Sequence, residues 1–228
     1  MFILQNDGES PTRAMKPVLD PTIDYKRLVA EGYNTCAAAY EQARRETVHP
    51  EIKWLKNQLP NRAHVLDIGC GSGLPVAREL AKRFHVTGVD ISAEQIRRAR
   101  ENVRHAEFLH SDIMALDFPA ASFDAVVSLY AIFHIPRGEH ERLFRNIHRW
   151  LKPGGYLLAT LADEPEEAYT EPDFFGAPMY WSNYGMTEYR AMLAEAGFEI
   201  LSAGQTGHGY SLDSPTESHP LVICKTGL

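Results

Sequence analysis

Apolar residues follow two alternating rhythms along this chain. Short strand-like segments at 64–68, 85–90, 106–113, 123–129 and 156–161 alternate with stretches whose apolar residues recur every three or four positions. Leu74, Ala77, Leu80/Ala81 and Phe84 form one helical stripe; Ile96, Ala99 and Val103 form a second, opened by a Ser92/Gln95 capping box; Leu143, Ile147 and Leu151 form a third between about 139 and 151. Strands alternating with helices predict an α/β domain around a doubly wound, mostly parallel sheet. The run at 123–129 is apolar almost throughout, as a strand buried on both faces requires. A helix near 187–196 and strands at 197–201 and 221–225 complete the pattern.

The connection after the first strand carries the most chemistry. His64-Val65-Leu66-Asp67-Ile68 runs into Gly69-Cys70-Gly71-Ser72-Gly73, so the turn lacks a Cβ at alternate positions and its amides can approach a ligand closely. A turn that only closes a sheet would look similar. Asp90, at the end of the second strand, lies 21 residues after Gly69, where a dinucleotide-binding fold keeps the carboxylate for a ribose diol. The spacing is Gly-x-Gly-x-Gly, however, and Leu74 stands where a dinucleotide turn has its third glycine. Asp67 is badly placed for a pyrophosphate but suits a ligand carrying an ammonium group.

At these motifs the chain resembles the class I S-adenosylmethionine-dependent methyltransferases of small-molecule type. The resemblance covers about residues 62 to 161 and includes the Leu151-Lys152-Pro153-Gly154-Gly155 segment that ends the third helix. It implies a Rossmann-like sheet of seven strands closed by a terminal antiparallel strand, with S-adenosylmethionine as cofactor and S-adenosylhomocysteine as product. It also implies a cofactor site formed by Asp67, Gly69, Cys70, Gly71, Gly73, Asp90, Ile91, Gln95, Ser111, Asp112, Ile113 and Leu129. Within that set Asp112 takes the adenine amino group and Ile113 lies against the ring.

Composition narrows the partners. Thirty acidic against 23 basic residues leave a formal charge of -7, which lacks the basic footprint of a nucleic-acid binder. The start, Met-Phe-Ile-Leu-Gln-Asn-Asp, has no basic region, and no apolar run reaches membrane-span length, so a cytoplasmic protein is expected without membrane association. Cys36, Cys70 and Cys224 are too few and too scattered for a disulfide framework or zinc site, and the ten histidines show no ligand spacing. No metal is expected. The oligomeric state is not legible.

Two regions outside the cofactor motifs are left to choose a small-molecule acceptor. Residues 1–20 read as a loose segment and 21–60 as a helical cap carrying Tyr25, Tyr33 and Tyr40, within one domain spanning 21–228. The resemblance puts Tyr33 over the methionine end of the cofactor. Residues 163–185, acidic first and aromatic afterwards, read as a long loop serving as a substrate lid. His134 follows the fourth strand, where open α/β sheets place ligands, and an ordinary imidazole there would accept a proton near neutral pH. Tyr130, Tyr184 and His208 are secondary candidates. The expectation is methylation of a metabolite or natural product, at nitrogen or oxygen in preference to carbon; the alternative is a protein that binds the cofactor without transferring its methyl group.

Overall fold

The computed structural model describes residues 23–44, 49–207 and 218–227. The expected loose segment 1–20 and His208 lie outside these residues. Strands β1 (His64–Ile68), β2 (His85–Asp90), β3 (Glu107–His110), β4 (Phe123–Ser128) and β5 (Leu151–Thr160) run parallel. They join β8 (Phe198–Gly207) and β9 (Ser218–Thr226) in one seven-stranded sheet of order β3-β2-β1-β4-β5-β9-β8. Strand β9 alone is antiparallel to its neighbours β5 and β8, so the expected fold class holds. The order reverses between β1 and β4, and a crevice opens there at the strands' carboxyl ends.

Helices cover both faces. On one, α5 (His140–Trp150) buries Leu143, Phe144, Ile147 and Trp150 against Leu66, Val126 and Leu157. On the other, α3 (Val76–Ala81) and α4 (Ala93–Asn102) bury Ala77, Leu80, Ile96 and Ala99 against Val65, Val86 and Phe108. The Lys152-Pro153-Gly154-Gly155 segment is already part of β5, which begins directly after Trp150. Its glycines dock on β9 instead of forming a free turn: Gly155 N–H donates to Thr226 Oγ1 at 3.0 Å. Strand β3 is shorter than the segment 106–113 read as a strand, because Asp112 leaves the sheet to cap a 3-10 turn at Ile113–Ala115, its Oδ1 accepting from Met114 N–H at 2.9 Å.

The region 163–185 is not an irregular loop. It folds into a hairpin of β6 (Glu166–Phe174) and β7 (Ala177–Asn183), tightly turned at Phe175 and Gly176, whose φ values are 51° and 85°. Two successive positive φ angles match the twist of the flanking strands. The hairpin lies against α1 (Tyr25–Arg44), where Tyr25 stacks on Tyr180 with centroids 4.4 Å apart and Val29 packs with Met179 and Tyr180. Gly32 permits this approach, since a Cβ there would stand 2.6 Å from the Pro178 carbonyl oxygen. A second helix, α2 (Pro50–Gln58), buries Ile52 and Leu55 in the cluster that holds Ala63 and Leu80. A final helix, α6 (Met186–Glu195), leads into β8. None of the described helices is long and apolar enough to cross a membrane.

Candidate cofactor and acceptor site

The glycine turn bends as its sequence requires. Gly69 has φ 70° and Gly71 φ 53°, and a Cβ on Gly69 would collide with that of Ala131. Asp90 holds the turn from the neighbouring strand: Oδ2 accepts from Gly71 N–H and Oδ1 from Ser92 N–H, both at 2.9 Å. Burial pushes the Asp90 pKa up, and these backbone donors only partly oppose it.

Above the turn lies a partly open chamber. Tyr33, Gly69, Gly71, Asp90, Ile91, Gln95, Ser111, Asp112, Ile113, Leu129 and His134 all border it, so most residues picked from the sequence converge. Asp67 and Cys70 border an adjoining space, shared with Gly69 and Gly71. Gly73 borders neither; a Cβ there would press on Val103 at 3.1 Å, so this glycine serves helix packing. Among the secondary candidates Tyr130 reaches the chamber, whereas Tyr184 packs beside Arg137 and Tyr189.

Asp67 is 2% exposed and its Oδ2 has no hydrogen-bond partner. Burial, with a further contribution from the charge of Asp90, raises its pKa to about 7. A buried carboxylate left unpaired in this way suits a cationic ligand group. Two basic residues missed by the sequence reading also face these spaces. Lys26 on α1 donates to Asp112 Oδ2 at 2.7 Å and to Glu139 Oε2 at 2.8 Å. Burial acts to lower its pKa, but the two carboxylates outweigh that and hold it above the ordinary value. Asp112, read as a purine acceptor, is therefore already neutralised by a lysine. Arg44, at the end of α1, lies over the Tyr130 ring at 4.4 Å and borders the space containing Asp67.

His134 occupies a 3-10 turn, Ile132–His134, just beyond β4. Its Nδ1 is 2.8 Å from the carbonyl oxygen of Tyr180 on the hairpin. A carbonyl only accepts, so Nδ1 carries the proton and Nε2 is the acceptor, receiving the Tyr33 hydroxyl at 2.8 Å. The expectation of an ordinary imidazole fails: burial lowers the His134 pKa to about 4, against a smaller upward effect of the Tyr180 carbonyl. Around this pair stand Tyr40, Phe174 and Trp181, with ring centroids 5.3 Å from Tyr33 to Tyr40, 6.1 Å from Tyr33 to Phe174 and 5.2 Å from His134 to Trp181. Among the described residues no group of three or more His, Cys, Asp or Glu is placed to hold a metal ion.

A doubly wound sheet with a glycine turn, an acid ending β2 and an unpaired acid inside β1 defines a nucleoside-cofactor domain of the methyltransferase class. Residues 65–155 match the family described as Methyltransferase domain, and the chain belongs to the class I S-adenosylmethionine-dependent methyltransferases. It is 37% identical over 163 residues to 27-O-demethylrifamycin SV methyltransferase of Amycolatopsis mediterranei, covering 65% of this chain and 59% of that protein. It is 32% identical over 181 residues to 2-methyl-6-phytyl-1,4-hydroquinone methyltransferase of a Synechocystis species, covering 77% and 56%. The chain thus spans less than two thirds of the length of these curated relatives. A solved SAM-dependent methyltransferase from Methanosarcina mazei superposes with a TM-score of 0.68 at 25% identity, over 79% of this chain and 99% of that one.

Proposed function

We propose that this protein transfers a methyl group from S-adenosylmethionine to a hydroxyl oxygen of a small, flat, largely apolar acceptor. The observation that carries this reading is the hydrogen bond from the Tyr33 hydroxyl to His134 Nε2. A phenolic O–H already sits in the place an acceptor hydroxyl would take. The surrounding rings of Tyr40, Phe174 and Trp181 suit a planar skeleton, and one relative's name specifies an oxygen acceptor while another's specifies a hydroquinone.

In this reading Asp67 faces the cofactor's ammonium group, Gly69 and Gly71 admit its backbone, Asp90 accepts from its ribose, and Asp112 and Ile113 hold its purine with Lys26 alongside. The bound cofactor supplies a methyl group on a positively charged sulfur, and that charge is lost on transfer. His134 then takes the acceptor's proton at Nε2 without raising the net charge of the chamber. A pKa near 4 suits this timing, because the hydroxyl becomes strongly acidic only as its oxygen is alkylated. The Tyr180 carbonyl, accepting from Nδ1–H, keeps Nε2 unprotonated and ready to take that proton. An amine acceptor fits less well: it arrives protonated near neutral pH, and so weak a base would not strip it first. The β6–β7 hairpin covers the acceptor side as a lid of regular structure, its acidic positions Glu171 and Asp173 exposed and its aromatics turned toward α1.

Incubation with isotopically labelled S-adenosylmethionine and a panel of phenols, hydroquinones and amines tests the reading. Label on a phenol or hydroquinone supports it. Label on amines alone, or none on any acceptor while the cofactor binds, rejects it, and the latter outcome favours a binding role.

A further inference from the structure

His140 is a buried titratable group that the proton transfer leaves unused. It opens α5, is fully buried, and holds a partner on each side of its ring. Nε2 is 2.8 Å from the carbonyl oxygen of Ile135, and Nδ1 is 3.1 Å from the hydroxyl of Tyr189 on α6. A carbonyl only accepts, so Nε2 carries the proton and Nδ1 is left to receive that of Tyr189. The tyrosine oxygen in turn accepts from Tyr184 N–H at 3.2 Å. One carbonyl thus fixes the direction of every hydrogen bond in the series Tyr184–Tyr189–His140–Ile135. Burial lowers the His140 pKa to about 4, so the ring stays neutral and these directions hold near neutral pH.

The two ends of the series are the two elements that hold His134. Ile135 directly follows His134, closes its 3-10 turn by donating to the Ile132 carbonyl at 3.0 Å, and borders the chamber. Tyr184 directly follows β7, the strand carrying the Tyr180 carbonyl that receives His134 Nδ1–H. Arg137 N–H adds a parallel tie, donating to Ser182 Oγ on β7 at 3.0 Å. The hairpin and the turn are therefore pinned to each other at two points beyond the His134–Tyr180 bond. The Tyr33 hydroxyl at His134 Nε2 could serve either tautomer, because it both donates and accepts. The Tyr180 carbonyl is the partner that chooses, and its place depends on those ties.

We propose that His140 and Tyr189 are positioning residues for His134: they hold hairpin and turn in the register that aims the Tyr180 carbonyl at Nδ1, and so leave Nε2 free to take a proton. This rests on the reading of His134 above.

The test pairs nitrogen NMR of the imidazoles with single-turnover methyl transfer to a hydroxyl acceptor found in the panel. Tyr189→Phe removes the hydroxyl and keeps the ring, which stacks on His140 with centroids 5.8 Å apart. His134, identified by the signal lost in His134→Ala, should carry its proton on Nδ1 in the unaltered protein and on both nitrogens in part in Tyr189→Phe. Methyl transfer should slow about tenfold with S-adenosylhomocysteine affinity within about twofold, and adding Tyr189→Phe to His134→Ala should slow it no further. His140→Gln, which can still donate to Ile135 and accept from Tyr189, should stay within about threefold of the unaltered rate, whereas His140→Leu should match Tyr189→Phe. An unchanged His134 tautomer in Tyr189→Phe overturns the assignment. So does a loss of rate that is the same with and without His134, or the same for His140→Gln and His140→Leu, which is the behaviour of residues that only support the fold. A fully active His134→Ala would overturn the reading of His134 as proton acceptor, while the nitrogen signals still decide what places its proton.

Discussion

Lys26 and Asp112 are 86 residues apart in the chain, yet Lys26 Nζ lies 2.7 Å from Asp112 Oδ2. The contact ties the first turn of α1 to the loop after β3, and Glu139 accepts from the same ammonium at 2.8 Å. Asn34 makes a second tie, its Oδ1 accepting from Ser92 Oγ at 2.8 Å and from Glu94 N–H at 3.0 Å. Helix α1 is therefore fastened across the chamber at several points.

Lys26→Met should loosen that fastening more than it harms the fold. Both side chains are 27% exposed, so the pair is partly screened and its loss costs modestly. Stopped-flow measurement is expected to show S-adenosylhomocysteine leaving roughly three- to tenfold faster. An unchanged or slower departure would show that the lysine does not hold the chamber shut.

Tyr33→Phe separates the tyrosine from the base. If Tyr33 only occupies the acceptor's hydrogen bond until the acceptor arrives, its removal should leave kcat within about threefold and lower the acceptor's KM. A loss of kcat of about a hundredfold or more would instead make Tyr33 part of the proton transfer.

Acidification provides a third prediction. His134 and His140 are buried, and both pKa values are lowered to about 4 from the ordinary 6.5. Between those values the unfolded chain binds more protons than the folded one, so stability falls as pH drops from about 6.5 toward 4, by on the order of 3 kcal/mol per histidine. Asp67, raised to about 7, acts in the opposite direction, because the folded state holds its proton at pH values where the unfolded chain has released it. Asp67→Asn should therefore steepen the acid loss of stability and raise the melting temperature at pH 8, where it removes an uncompensated buried charge. The same variant should bind S-adenosylhomocysteine at least about tenfold more weakly. Melting curves across pH, paired with calorimetry, check both halves; a drop in melting temperature at pH 8 contradicts the first.

Gly32→Val tests the seating of α1 on the hairpin. A side chain there meets the Pro178 carbonyl at 2.6 Å and Met179 Cε at 2.9 Å, so the helix and β7 must part. Overpacking of this kind costs about 1–3 kcal/mol. Thermal melting should register the loss, and the acceptor's KM should rise as the aromatic wall opens.

Much of the sheet and its crevice is readable from residue order, because the central strand β4 is buried almost throughout and leaves a nearly unbroken apolar run, and the glycine turn follows β1 directly. The hairpin at 166–183 is not. Its turn is Phe175-Gly176, without the asparagine or aspartate that usually announces two positive φ angles, and its strands are interrupted by bulges that blur the alternation. The position of His134 was legible, but its pKa was not, since burial and the Tyr180 carbonyl come from that same hairpin. Lys26 and Arg44 escaped notice because each sits in an ordinary helical pattern and meets its site partners only across the fold.

The central claim is that His134 Nε2 receives the proton of a hydroxyl acceptor. Single-turnover methyl transfer from labelled S-adenosylmethionine, compared between the unaltered protein and His134→Ala on a hydroxyl acceptor identified in the panel, tests it most directly. The account predicts a rate loss of about a hundredfold or more with S-adenosylhomocysteine affinity within about threefold. Methyl transfer by His134→Ala at the unaltered rate would contradict it.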